Sequence, residues 1–101
     1  IMLLGHWDHL GECGAPDAEG RICNGAADNA SGIASMLEMA RRLKAGPRLD
    51  RDIYVLATSA EESGLLGARA FAAAPPVALS SIAAAFNFDM IAIAPAGSAL
   101  G

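Results

Sequence analysis

Ile53-Tyr54-Val55-Leu56-Ala57-Thr58-Ser59-Ala60-Glu61-Glu62-Ser63-Gly64-Leu65-Leu66-Gly67 runs from five largely apolar residues through an acidic turn into an Ala-rich segment that ends at Pro75. It reads as strand, turn and helix. Adjacent carboxylates repel, and one is normally pushed towards protonation. Two readings of Glu61 and Glu62 follow. They favour the positive end of the helix dipole, or they meet a bound cation.

Working outward, Ile1-Met2-Leu3-Leu4-Gly5 is a continuous apolar run, as in a strand buried on both faces. It delivers His6-Trp7-Asp8-His9-Leu10-Gly11. Ligand sites in open α/β sheets form at the carboxyl ends of strands, which is where His6 falls. Asp8 shares its side if the chain stays extended, and a carboxylate there can hold the His6 ring in one tautomer. His9 reads as a loop residue or an outer partner of the site.

Glu12 to Ala27 is rich in Gly, Ala, Pro and Asp without apolar period, so it reads as a loop. Asn24-Gly25-Ala26-Ala27-Asp28-Asn29-Ala30-Ser31-Gly32 closes it. Ile33, Met36, Leu37, Ala40 and Leu43 then recur at helical spacing, opposite Ser35, Glu38, Arg41, Arg42 and Lys44. Gly46 and Pro47 end that helix. Asp28, Asn29 and Ser31 are good caps. Alternatively, Asp28 is a carboxylate bridging two cations.

The second helix runs from the acidic turn to about Ala74, before Pro75-Pro76. Gly64 and Gly67 in its first turns suggest close backbone packing near a site. Val77 to Ser81 is linker or short helix. Ile82-Ala83-Ala84-Ala85-Phe86-Asn87-Phe88 reads as a third buried strand ending in Asp89. Met90 to Ala94 fits no one element, and Pro95-Ala96-Gly97 reads as a turn. Alternation of strands and helices predicts an α/β fold, a mostly parallel buried sheet with helices on both faces in three layers.

The bulk numbers bound the function. The chain has 101 residues, one domain at most, and net charge −4. That balance argues against nucleic acid, which calls for clustered Lys and Arg. Arg41, Arg42, Lys44, Arg48 and Arg51 gather around a helix end, where a solvated face complements the dipole. No apolar run has the length of a membrane span. Hydrophobic residues make up 53% and mean hydropathy is +0.37. A chain this short buries only about 60–70% of its unfolded surface. The reading is therefore an internal piece of a larger catalytic domain, whose remainder is its partner surface. Cys13 and Cys23 share one loop, match no zinc-ribbon or CxxC spacing, and read as a disulfide in preference to free thiols. A disulfide favours an extracytoplasmic setting.

His6, Asp28, Glu61, Glu62 and Asp89 all fall at strand ends or helix starts. One imidazole with several carboxylates suits zinc or another borderline-to-hard divalent ion. It is acidic enough for two cations sharing a carboxylate.

Four stretches in order, Gly5-His6-Trp7-Asp8-His9-Leu10-Gly11, Gly25-Ala26-Ala27-Asp28-Asn29-Ala30-Ser31-Gly32, Ala60-Glu61-Glu62-Ser63-Gly64-Leu65-Leu66-Gly67 and Asn87-Phe88-Asp89-Met90, cover nearly the whole chain. Together they resemble the co-catalytic zinc aminopeptidases of the aminopeptidase Y and bacterial leucyl aminopeptidase kind (peptidase clan MH). The resemblance implies peptide substrates and two zinc ions. His6 and Asp89 would bind one zinc, Glu62 the other, and Asp28 both, with a cis Asp28–Asn29 peptide. Asp8 would orient His6. Glu61 would be the general base that takes a proton from the attacking water and passes it to the leaving amine. In that family a further His binds the second zinc, and no His follows Asp89 here. His9 is set aside as a substitute because it stands so near His6. One zinc site is thus expected complete and the other short of a ligand, which makes this stretch alone a poor catalyst. Other readings are a carboxypeptidase, a single-zinc glutaminyl cyclase, or a metal-free interaction module.

Overall fold

The computed structural model describes residues 1–17 and 19–92. Its centre is strand β1 (Met2–His6), flanked in parallel by β4 (Tyr54–Thr58) and β5 (Ala85–Asn87). Two-residue strands β2 (Gly11–Glu12) and β3 (Ile22–Cys23) form a separate antiparallel hairpin. Helices α1 (Gly32–Ala45) and α2 (Leu66–Ala73) follow β3 and β4, and a single turn of 3₁₀ helix spans Leu79–Ser81. The turn expected at Pro95-Ala96-Gly97 lies outside the described residues, as does the end of the Met90–Ala94 run.

The parallel α/β arrangement is as the alternation predicts. Helix α1 packs on β1 and β4. Met2, Leu3 and Met36 form the buried apolar core, so the anchor of α1 is one of the five apolar positions read from its spacing. Leu37, another of them, is 55% exposed. Burial is uneven across the sheet. β1 is buried nearly throughout, whereas Val55 on β4 and Phe86 on β5 are 44% and 54% exposed. Among the described residues each pairs with β1 on one side only.

The expected third strand over Ile82–Phe88 shortens to Ala85–Asn87. The loop expected from Glu12 to Ala27 contains the hairpin, with Gly11 opposite Cys23 and Glu12 opposite Ile22. Strands this short leave no periodicity to read. Cys13 and Cys23 are disulfide-bonded across it, and Arg21 pairs with Glu12 at 2.8 Å.

Gly67 and Gly64 serve different needs. A Cβ on Gly67 would stand 2.5 Å from the Ser59 carbonyl oxygen, so α2 starts hard against the end of β4. Gly64 has open space around it and φ +94°, a conformation that glycine adopts without steric cost. The basic residues of α1 are exposed, as their solvated-face reading requires. Arg41 and Arg42 both bond Glu38 and hold its carboxyl at about 2. Among the described residues no helix is long and apolar enough to cross a membrane.

Candidate metal centre

Parallel pairing brings three strand ends to one rim. His6 is level with Thr58, and Leu4 is level with Asn87. Two residues further on, Asp89 is therefore carried level with His6. The Phe88 amide donates to the Leu4 carbonyl at 2.8 Å and keeps that register. Asp28 arrives from a kinked helical turn, Ala26–Ser31, in which Asp28 and Asn29 leave helical geometry. The Asp28–Asn29 peptide is cis.

The structure places the His6 Nε2 3.1 Å from an Asp28 oxygen and 3.4 Å from an Asp89 oxygen. Ligand atoms of His6, Asp28 and Asp89 lie within 4.8 Å of one another. A second trio, His9, Asp28 and Glu62, meets the same condition, and Asp28 is common to both. Asp28 thus points into the rim, and the residue at the N-cap of α1 is Ser31. The first turn of α2 holds no acidic residue, so the helix-dipole reading of Glu61 and Glu62 has no counterpart here. Glu61 belongs to neither trio. It is half-buried, and its carbonyl accepts hydrogen bonds from the Gly64 and Leu65 amides at 2.9 Å.

The ring of His6 is 3% exposed, and its other nitrogen is committed. Nδ1 lies 3.1 Å from the Asp8 carbonyl oxygen, which can only accept. A neutral ring therefore carries its proton on Nδ1 and turns the Nε2 lone pair towards two carboxylates. Lone pair against two anions is repulsive. Either the ring takes a second proton or a cation sits between them. Burial works to lower the His6 pKa. The Asp89 carboxylate, the Asp8 carbonyl and the Glu61 and Asp28 carboxylates outweigh it, and the net shift is upward. A divalent ion meets the same demand, and imidazole with carboxylates is a donor set that suits zinc.

The sequence reading has the Asp8 carboxylate orienting His6. In the structure the main-chain carbonyl of Asp8 is the nearer partner, with the carboxylate oxygen 3.7 Å from Nδ1. That oxygen is buried with no hydrogen-bond partner among the described residues. Burial pushes the Asp8 pKa up, but backbone amides of Glu61, Asp8 itself and Glu62, with the His6 ring, bring it below its ordinary value.

Asn29 is the residue that sequence reasoning undervalues. Its side chain is buried and joins three elements. Nδ2 donates to the His6 carbonyl at 3.2 Å and the Phe88 carbonyl at 2.9 Å. Oδ1 accepts from the Gly32 and Met90 amides, both at 3.1 Å. Its reading as a cap foresees the bond to Gly32, three residues on. Nothing local foresees the bonds to β1 and to the end of β5. Gly32 completes the brace. A Cβ there would collide with Asn29 Oδ1 and stand 2.5 Å from the Phe88 carbonyl oxygen.

A cleft of about 420 Å³ opens beside this rim, lined in part by Trp7, His9, Ile33 and Leu37. A larger one of about 600 Å³, by Lys44, Arg48 and Arg51, lies between the end of α1 and the start of β4, away from both trios.

No solved structure matches the chain. Among proteins of known sequence, it is 40% identical over 72 residues to the alkaline phosphatase isozyme conversion protein of Escherichia coli (strain K12), covering 67% of this chain and 21% of that protein. It is 39% identical over 69 residues to the probable lipoprotein aminopeptidase LpqL of Mycobacterium tuberculosis (strain ATCC 25618 / H37Rv), covering 67% of this chain and 14% of that one. Identity reaches 58% over 43 residues with aminopeptidase YwaD of Bacillus subtilis (strain 168), covering 43% and 9%. The chain thus spans about a fifth or less of the length of the curated relatives it matches. The family model for peptidase family M28 matches residues 1–99, and with nearly every residue inside that match the chain belongs to peptidase family M28.

Proposed function

We propose that this chain carries the cation-binding rim of a two-zinc aminopeptidase, part of a larger catalytic domain. The observation that supports it best is the His6 ring, with its Nδ1 proton committed to a carbonyl and its Nε2 turned on two carboxylates. Family membership supplies the peptidase reading, and two relatives named as aminopeptidases favour the N-terminal end of the substrate. His6, Asp28 and Asp89 would hold one zinc, and Asp28 and Glu62 would serve the other. When bound, such ions supply Lewis-acid polarisation of the scissile carbonyl and acidify water at neutral pH.

The chain's own residues do the rest. Glu61 accepts the proton of the attacking water on its carboxylate and returns it to the leaving amine. It is free for this because it stands outside both trios while its backbone is pinned by the turn. Asp8 fixes the tautomer of His6 through its carbonyl, which leaves Nε2 as a lone-pair donor. Asn29 holds the ends of β1 and β5 at constant separation, so His6 and Asp89 keep their spacing. The Cys13–Cys23 disulfide supports an oxidising, extracytoplasmic setting for the protein.

The test uses the full-length protein on peptides with free or acetylated N-termini. Release of N-terminal residues from the free-amine set alone is expected. Glu61→Gln should lower kcat/KM by about 10²–10⁴-fold, the usual worth of a general base, with zinc content unchanged. Release from the C-terminus, cyclisation of N-terminal glutamine, or an unaffected Glu61→Gln variant would overturn the reading.

A further inference from the structure

We propose that Asn24–Gly25 is a site of spontaneous backbone modification. The Asn24 side chain closes on the Gly25 amide nitrogen as a succinimide, which water reopens to aspartate or isoaspartate. This chemistry stands on its own, and only its consequence for cation binding rests on the reading above.

The chain holds three asparagines, Asn24, Asn29 and Asn87, and their surroundings differ. Ring closure needs the next residue's amide nitrogen free to reach the side-chain carbonyl carbon. After Asn29 that nitrogen is engaged, since the Ala30 amide donates to the Gly25 carbonyl at 2.9 Å. After Asn87 it is engaged as well, with the Phe88 amide on the Leu4 carbonyl at 2.8 Å. The Gly25 amide has no backbone partner among the described residues. The side chains differ in the same sense. Asn29 is buried with its amide donating to two carbonyls, whereas Asn24 is exposed. Glycine at the following position has no side chain to hinder the closure.

A second contact prepares the electrophile. The Ala26 amide donates to Asn24 Oδ1 at 2.8 Å. It draws electron density from Cγ and stands where negative charge develops when Cγ becomes tetrahedral. The Gly25 nitrogen gives its proton to water or hydroxide and bonds Cγ, and the charge passes to Oδ1. As the carbonyl re-forms, the Cγ–Nδ2 bond breaks and ammonia leaves with a proton from solvent. Water then adds to the ring. Opening at Cγ gives an aspartate with the backbone as before. Opening at the main-chain carbonyl gives isoaspartate, in which the chain runs through the side chain and gains a methylene before Gly25.

The extra length falls where the chain has no slack. Gly25 is buried, and a Cβ on it would lie 3.1 Å from both Cβ and Cγ of His9 and 3.0 Å from the Asp28 carbonyl oxygen. Its own carbonyl holds the Ala30 amide and so anchors the kinked turn that carries Asp28. Isoaspartate therefore displaces Asp28, the carboxylate common to both trios. Both products add a negative charge, but only isoaspartate lengthens the chain.

The metal-free full-length protein is aged at mildly alkaline pH, reduced and digested with trypsin. Peptide 22–41 contains Asn24 and Asn29 together, and electron-transfer fragmentation locates isoaspartate within it. Conversion is expected at Asn24 while Asn29 and Asn87 keep their amides. An Asn24 that converts no faster than Asn29 would overturn the site.

Chelator competition for zinc reads the consequence. Aged, isoaspartate-enriched wild type should bind at least about tenfold more weakly than fresh protein, the low end for a lost outer partner. Aged Asn24→Ser, which keeps an oxygen for the Ala26 amide and cannot cyclise, should bind as it does when fresh. Fresh Asn24→Asp carries the charge alone and should stay within about fivefold of wild type, the scale of an exposed charge pair. Unchanged affinity despite isoaspartate, or an equal loss in Asn24→Asp, would overturn the displacement of Asp28. Fresh protein that takes up no zinc would overturn the cation reading, and the peptide map would still decide the site.

Discussion

The two trios differ in what holds them. His6 and Asp89 are set by the pairing of β1 with β5, and Asn29 clamps the same two strand ends. His9 and Glu62 sit in turns beyond strand ends, and their approach depends on Gly25 and on the acidic turn. The His6 ring is 3% exposed against 17% for His9. Sites carried on rigid elements keep closer geometry than sites on loops. The lesson is that one rim can hold a preorganised position beside an adaptable one, joined by Asp28. The account expects the first ion to bind more tightly and the second to exchange first.

The largest change comes from removing what the two share. Asp28→Ala should abolish tight binding at both positions, a loss beyond the roughly 10–100-fold that outer partners contribute. Isothermal titration of the metal-stripped full-length protein with zinc measures it. Retention of one wild-type affinity would mean that Asp28 does not bridge.

Asn29→Ala strikes only the braced side. Buried groups left without partners cost about 1–3 kcal/mol each. Four groups lose theirs, although such costs do not add. A loss of about 2–4 kcal/mol in chemical denaturation is expected, with the first ion weakened more than the second. Equal weakening would erase the distinction between the trios.

Asp8→Asn should weaken only the first ion, by about tenfold, the low end for an outer partner, because the main-chain carbonyl stays on Nδ1. Chelator competition resolves a change of that size.

How far these contrasts could be read in advance depends on whether the signal is local. A parallel sheet sends functional groups to strand carboxyl ends, so His6, Asp89 and the acidic turn were legible as soon as three apolar runs were recognised. Asp28 had two meanings, cap or bridge; the structure puts Ser31 at the N-cap of α1 and Asp28 beside His6. The brace by Asn29 is a contact between residues 59 apart in the chain, invisible to spacing. The approach of His9 to Glu62 is likewise a contact between residues 53 apart in the chain, invisible to spacing.

A pH series sharpens the comparison at the first trio. In the ion-free protein the His6 pKa is raised above 6.5. Protonated His6 between two carboxylates therefore adds stability that is full below about pH 6.5 and fades as pH rises through the folded value. Asp8, lowered from 3.8, adds stability that is present above that value and lost as pH falls through its folded value. Thermal unfolding of chelator-treated protein should thus weaken from mildly acidic to alkaline pH. Added zinc should cancel that decline, because the ion replaces the proton.

The smallest effect expected on ion binding is that of the hairpin. Replacing Cys13 and Cys23 by Ser should cost about 2–3 kcal/mol of stability, since a short loop loses its cross-link. Because the hairpin begins two residues after His9, it should loosen the second ion slightly and leave the first unchanged. Denaturation and chelator competition together read both.

Zinc-edge anomalous diffraction from crystals of the full-length protein tests the central claim most directly. A peak about 2.0–2.1 Å from His6 Nε2, enclosed by Asp28 and Asp89, is the predicted result. An ordered rim with no anomalous density there, and with His6 Nε2 hydrogen-bonded straight to Asp28, would contradict it.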